Sequence, residues 1–423
     1  MKHLILLADG MADHPIERLG GKTLMQCAYK PWMDMLARNG RTGKLQTIPK
    51  GFHPGSEVAI TSIMGYRLNR VFEGRGPLEA ASMGYEMKNG DLAIRCNLVS
   101  LENARLTSYK GGGVTTADAA LLIGYLNEHL GNENVRFMAG IQYRHLLIVR
   151  GGSKHIVCAL PHDHHGEEWH DLMVRSEDGW ENRRETYKDE TGTVQKRMTG
   201  LQTARLLNNL MEQSQVLLAK HPYNQVRLSR GELQANCIWP WSGGYRPLME
   251  KMSHLYPQVT SGSVVAAVDL VQGLAHYAGL DIIKVKGATA LPDTNYEGKA
   301  QAAIEALKWQ DFVFLHVEAI DEAGHSGDID LKLKTIEDFD KRIVKPIFRE
   351  IEKWEEPVCI AVLPDHPTPV ETGMHADEPV PFLIWHKKIK ADSVQTFDEM
   401  SCKKGGYGLL RLHEFMQTLM GIR

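Results

Sequence analysis

The apolar residues of this chain fall in short unbroken runs and not in alternating ones. LILLA at 4–8, DIIKV at 281–285, FVFLHV at 312–317 and VCIAVLP at 358–364 each carry several consecutive apolar positions, the pattern of strands covered on both faces. Helix-like stretches such as AQAAIEAL at 300–307 and the SVVAAVDLVQGLAHYAGL segment at 263–280 lie between them. Strand and helix in alternation predict an α/β unit with a mainly parallel sheet covered by helices. The alternation holds from residue 1 to about 66 and resumes at about 216, where ANCIWPW at 235–241 is read as its next strand. Between them the pattern changes. GDLAIRCNLVSL, VRFMAG and HLLIVRG read as strands, a helix is predicted to start near Thr115 with Asp118 completing its cap, residues 161–200 are polar, and TARLLNNLMEQSQVLLAK reads as a second helix. The expected organisation is therefore a discontinuous domain of residues 1–66 and 216–423, interrupted by an inserted α+β domain of residues 67–215. No internal repeat or low-complexity segment appears.

Acidic and imidazole side chains end these runs. Asp9 follows LILLA, Asp321 and His325 follow FVFLHV, Asp365 and His366 follow VCIAVLP, and His375 precedes PVPFLIW. Asp321 and His325 stand four apart, so one helical turn aims both at one point. Open α/β sheets place their ligands at the carboxyl ends of strands, and three strands would bring metal-ligating residues there. Mixed carboxylate and imidazole sets suit zinc, manganese or iron better than calcium. Ser56, in HPGSEVAITSIMGY, falls at the start of a predicted helix. A hydroxyl there is either an N-cap, with Glu57 in the first turn, or a nucleophile facing an anion at the helix N-terminus; the helix pattern favours the cap.

Composition narrows the field only a little. The chain has 423 residues, is 43% hydrophobic and carries a net charge of -3, which gives no bias toward nucleic acid. No apolar run reaches the length of a membrane helix, and LILLA with Asp9 directly behind it reads as a strand and not as a signal peptide. Six cysteines without CxxC spacing suit reduced thiols in a cytoplasm.

In order along the chain, LLADGMAD, HPGSEVAITSIMGY, GRGPLEA, IRCN, DTNYEGKA, FLHVEAIDEAGHSGD, LPDHPTP and MHADEPVP resemble the archaeal-type cofactor-independent phosphoglycerate mutases of the alkaline phosphatase superfamily. The resemblance spans nearly the whole chain. It implies an alkaline-phosphatase-like metalloenzyme core with two divalent ions, manganese first and zinc or magnesium as alternatives, and no bisphosphoglycerate. One ion would be held by Asp321, His325 and His375, the other by Asp9, Ser56, Asp365 and His366, and Ser56 would be transiently phosphorylated. The activity implied is exchange of a phosphoryl group between the 2 and 3 positions of glycerate. Water must be excluded during that exchange, since a hydrolysed phosphoserine would make the enzyme a phosphatase.

A substrate with a carboxylate as well as a phosphate calls for guanidinium forks. Arg75, Arg95, Arg144 and Arg150 are the candidates, with Arg95 and Arg144 preferred, and Lys299 in DTNYEGKA is a further phosphate contact. Other signals carry less. GGKT at 20–23 lacks the glycine that a phosphate loop needs, since Ile16 stands there. HDHH at 162–165 reads as a polar loop or a substrate contact, Gly111–Gly113 as a flexible turn or an anion loop, and Trp239 with Trp241 as packing or a cleft wall. Two rivals stay open: a related metal-dependent phosphotransferase such as a homoserine kinase, which would need a nucleotide, and a non-catalytic metal-binding protein, which would have no use for Ser56. The oligomeric state is not legible.

Overall fold

The unbroken apolar runs form strands. Lys2–Ala8, Phe312–Val317 and Val358–Leu363 are buried along their whole length in the computed structural model, which describes residues 1–422. They lie side by side in an eight-stranded sheet of order Asp281–Ile283, Gly262–Val265, Phe312–Val317, Lys2–Ala8, Val358–Leu363, Val380–Trp385, Arg41–Gln46, Leu409–Arg411. Neighbours are parallel except around Val380–Trp385, which runs antiparallel to both of its own. Successive side chains go to opposite faces, and in these three strands neither face meets water. Leu4, Leu6 and Ala8 join one core with Val313, Leu315, Ile360 and Val362, while Ile5 and Leu7 are as fully buried on the other side. That double burial is why the runs do not alternate.

Helices cover the sheet with faces of helical period. In Pro31–Arg38 the buried residues are Met33, Leu36 and Ala37, one stripe at i, i+3 and i+4. Its first-turn amides are free of intrahelical partners, and Asp340 accepts from two of them, Met33 N at 2.7 Å and Trp32 N at 3.3 Å. Thr23 of the GGKT segment caps helix Leu24–Cys27 through a reciprocal bond with Gln26, a structural duty and not phosphate binding.

The chain forms two compact units, Met1–Phe72 with the chain from Leu248 onward, and Glu73–Pro247. These divisions differ from the expected ones at 66/67 and 215/216, and the second moves for a clear reason. ANCIWPW does not continue the parallel sheet: strand Cys237–Gly244 pairs antiparallel with Asp91–Glu102 inside the insert. The insert sheet runs Cys237–Gly244, Asp91–Glu102, Arg144–Arg150, Val135–Met138. Helices Thr116–Leu130 and Gly200–Lys220 bury Leu122, Leu126, Leu207 and Met211 with Ile94, Cys96 and Leu98. Thr115 caps the first of them by accepting Asp118 N–H, and Trp239 is packed inside with its indole N–H on Ala159 O. Gly111–Gly113 is a turn whose Gly112 carbonyl takes Arg227.

Removing one side chain from the Pro31–Arg38 stripe tests this packing. Leu36→Ala is expected to cost about 2–5 kcal/mol, read as a lower midpoint of urea denaturation. A loss below about 1 kcal/mol would place Leu36 outside the core.

Candidate active site

Three adjacent parallel strands end on one edge of the eight-stranded sheet, and each ends in an acid. Asp9 follows Lys2–Ala8; Asp321 and His325 lie on the short helix Ala319–His325 behind Phe312–Val317; Asp365 and His366 follow Val358–Leu363. Strand Val380–Trp385 runs antiparallel to Val358–Leu363 and begins where that strand finishes, so His375, just ahead of it, arrives at the same edge. The clusters meet: the His366 and His375 rings are 4.0 Å apart between centroids. His325 Nε2 lies 3.1 Å from Asp321 Oδ2, His375 Nε2 3.5 Å from Asp321 Oδ1, and the two Nε2 atoms 2.9 Å from each other. His366 Nε2 lies 3.3 Å from Asp365 Oδ2 and 3.6 Å from Asp9 Oδ1.

Ser56 is the first residue of helix Ser56–Ile63, and Gly55 is its N-cap, with no side-chain capping bond. The cap expected of Ser56 is therefore absent. Its Oγ instead lies 3.2 Å from His366 Nε2, at the end of a helix where free amides favour an anion.

The imidazoles are held from behind. His325 Nδ1 contacts Gly373 O at 2.7 Å, His366 Nδ1 contacts Pro367 O at 3.3 Å and His375 Nδ1 contacts Pro54 O at 3.4 Å. Each backbone carbonyl keeps the proton on Nδ1 and turns Nε2 inward, the orientation of a ligating histidine.

Charge in this cluster is unbalanced. Burial, followed by the negative charges of Asp365, Asp321 and Glu318, pushes the Asp9 carboxyl well above the usual carboxylate range. Asp9 Oδ1 and Asp365 Oδ2 are buried without a hydrogen-bond partner. Asp321, despite burial, is drawn well below the ordinary range by His325 and His375, and its carboxylate in turn lifts His325 to about 9. Asp9 thus draws a proton or a cation. Candidate donor atoms of Asp321, His325 and His375, and those of Asp9, Asp321 and His366, lie within 4.8 Å of one another in each group. Donors sharing an ion at about 2.1 Å sit about 3–3.5 Å apart. The unpartnered oxygens, the inward Nε2 atoms and these spacings fit divalent cations.

One member of the site escaped the sequence reading. His316, inside the apolar run FVFLHV, pairs in register with Leu7, and its Nε2–H donates to Asp9 Oδ2 at 2.8 Å. Burial holds it down to about 3, so it is a neutral donor. The signal was a lone imidazole in an otherwise apolar strand. Thr368 was missed as well; its hydroxyl donates to Asp321 Oδ1. Lys299, expected on phosphate, is buried with Nζ on the carbonyls of His316 (3.3 Å) and Thr289 (3.4 Å), and burial lowers it to about 8.

In the insert, Arg95 and Asn97 share a face of their strand, and Arg144 stands opposite Asn97. Arg95 Nε meets Glu79 Oε1 at 3.0 Å, Arg75 Nε reaches the same oxygen at 3.9 Å, and Arg95 lies 4.2 Å over the Trp241 ring. Burial, opposed by Glu79 and helped by the charges of Arg75 and Arg144, lowers Arg95 to about 10. His162 of HDHH packs edge-on against Trp241. Arg150 does not join them. It pairs with Asp91 in the strand register and with Glu190 at 2.9 Å, six residues or roughly 20 Å along the strand from Arg144.

The family model for 2,3-bisphosphoglycerate-independent phosphoglycerate mutase matches residues 37–224. A protein of that name from Methanosarcina acetivorans is 44% identical over 424 residues, covering all of both chains. Among solved structures, a protein from Pyrococcus horikoshii superposes with a TM-score of 0.79 at 29% identity, over 100% of this chain and 98% of that one. The cofactor-independent phosphoglycerate mutase of Thermoplasma acidophilum does so with a TM-score of 0.65 at 24% identity over the whole of both chains, which shows the fold. With 44% identity to the Methanosarcina acetivorans protein along the entire sequence, this chain belongs to the family of 2,3-bisphosphoglycerate-independent phosphoglycerate mutases, a family of isomerases.

Proposed function

We propose that the chain interconverts 2-phosphoglycerate and 3-phosphoglycerate through a phosphoserine at Ser56, at a site holding two divalent cations. The observation that carries this reading is Ser56 itself. It begins a helix without capping it, and its hydroxyl lies 3.2 Å from His366 Nε2 beside the buried Asp9 and Asp365. Asp321, His325 and His375 would hold one cation, and Asp9, Asp365, His366 and Ser56 the other, with Asp321 near both groups. Manganese is the first choice for the ion, with zinc or magnesium as alternatives. Bound cations would lower the pKa of the Ser56 hydroxyl and neutralise charge on the transferring phosphoryl group.

The side chains would then act in sequence. Ser56 Oγ bonds to phosphorus as the bond to one glycerate oxygen breaks, and the phosphoryl group returns to the other glycerate hydroxyl as the serine bond breaks. Helix Ser56–Ile63 offers its N-terminal dipole to the phosphate oxygens. The clustered guanidinium groups of Arg75, Arg95 and Arg144, with Glu79 between the first two, suit a carboxylate. Arg150, already paired with Glu190, is left out. His316 fixes Asp9, and the carbonyl tethers fix the imidazoles, so little rearrangement remains for the reaction itself.

Ser56→Ala separates nucleophile from cap. Loss of a cap costs about 1 kcal/mol; because Ser56 makes no such bond, the variant is expected to stay within about 0.5 kcal/mol of the wild type in urea denaturation. Turnover of 3-phosphoglycerate should fall by at least about 1,000-fold, and phosphoserine at residue 56 should be detected by mass spectrometry in the wild type alone. A variant that remains active refutes the nucleophile.

Removal of divalent ions by a chelator should abolish turnover, and added Mn2+ should restore it. Full activity in a sample shown to be free of metal overturns the two-cation reading. Homoserine with ATP, assayed in parallel, should yield no phosphohomoserine; a product there would make the chain a kinase.

A further inference from the structure

The segments that follow Asp9 and His366 are joined by a buried ion pair outside the candidate ligand set. Lys332, on helix Ile329–Phe339, has a side chain fully out of water, as has Asp13. Its ammonium donates to Asp13 Oδ2 at 2.8 Å, Thr368 O at 2.8 Å and Ala12 O at 3.3 Å. Asp13 Oδ2 also takes Val370 N–H at 3.3 Å, and Thr368 N–H reaches Ala12 O at 3.2 Å. One cation thus stitches residues 12–13 to residues 368–370. Thr368 passes the constraint on, since its hydroxyl holds Asp321 Oδ1. The junction has no slack: Gly10 adopts φ +64°, and a Cβ there would fall 2.5 Å from Asp321 Oδ1 and 2.7 Å from Thr368 Oγ1.

Stability does not account for such a pair. Desolvating two charges offsets most of their attraction, and apolar residues of similar volume often hold a core equally well. An ammonium with three fixed acceptors does something an apolar side chain cannot, which is to set the relative position of two backbone segments. We infer that Lys332 and Asp13 are positioning residues for the cation site, fixing the spacing of Asp9, Asp321 and the Asp365–His366 pair. The inference rests on the two-cation reading above. Neither residue would touch a cation or the substrate.

Calorimetric titration of the purified apo chain with Mn2+ alone tests it. Lys332→Met should weaken Mn2+ binding by about 10- to 100-fold, the usual effect of removing a group that holds a ligand in place. Asp13→Asn, which keeps size and acceptor, serves if Lys332→Met does not fold, and should weaken binding in the same direction. The double variant Asp13→Leu with Lys332→Met should recover thermal stability relative to Lys332→Met and still bind Mn2+ weakly. Leu36→Ala, destabilised in the core, should bind Mn2+ like the wild type. Wild-type affinity in the charge variants, or an equal loss in Leu36→Ala, overturns the positioning role and leaves the cation site standing. A wild-type chain that takes up no Mn2+ overturns the cation reading and the inference with it.

Discussion

Three carboxylates buried together at the ends of neighbouring strands are the constraint around which this molecule is built. Asp9, Asp321 and Asp365 are 4% exposed or less, and isolated ionised acids cannot be placed so deep without compensation. Hydrogen bonds supply part of it, from His316 to Asp9, Thr368 to Asp321, and the backbone of Gly10 and His366 to Asp365. The remainder is left to protons or cations, and the inward Nε2 atoms are candidate donors beside the acids. The helices and strands behind this edge are correspondingly dry. They hold like charges together that would separate in a looser frame.

What could be read in the sequence was the ends of the runs. An apolar run that stops at an acid, as at Asp9 and Asp365, states both the strand and the direction of its end. Asp321 and His325 are legible because a four-residue spacing has only one local meaning. His316 was hidden because it sits inside a run, where a period-two reading assigns it to the core. Lys332 and Asp13 were hidden more deeply. They are 319 residues apart, and each looks like a surface charge until its partner is known. ANCIWPW failed for another reason: a buried strand carries no mark of the sheet it joins, and only pairing with Asp91–Glu102 decides it. Arg150 was grouped with Arg95 and Arg144 by type, whereas position along the strand separates them.

The insert shows how a polar cluster is built on an ordinary antiparallel sheet. Even-numbered residues of Asp91–Glu102 such as Ile94, Cys96 and Leu98 go to the helix-covered core, which leaves Arg95 and Asn97 on the opposite face. Trp241 then serves twice, donating to Asn97 Oδ1 at 3.0 Å and lying under the Arg95 guanidinium. Glu79 Oε1 draws Arg75 and Arg95 toward one point and offsets part of their mutual repulsion.

Strand Lys2–Ala8 lies between Phe312–Val317 and Val358–Leu363, and this placement governs the order in which a nascent chain can fold. The first strand leaves the ribosome more than 300 residues before its nearest hydrogen-bonding partner, a delay of roughly 15–60 s at ordinary rates of synthesis. The insert is contiguous and has every partner in hand once residue 247 has emerged. Vectorial synthesis therefore makes the whole arginine-bearing unit before either strand that pairs with LILLA exists. The carboxylate edge is complete only when the segment carrying Asp365, His366 and His375 has been made.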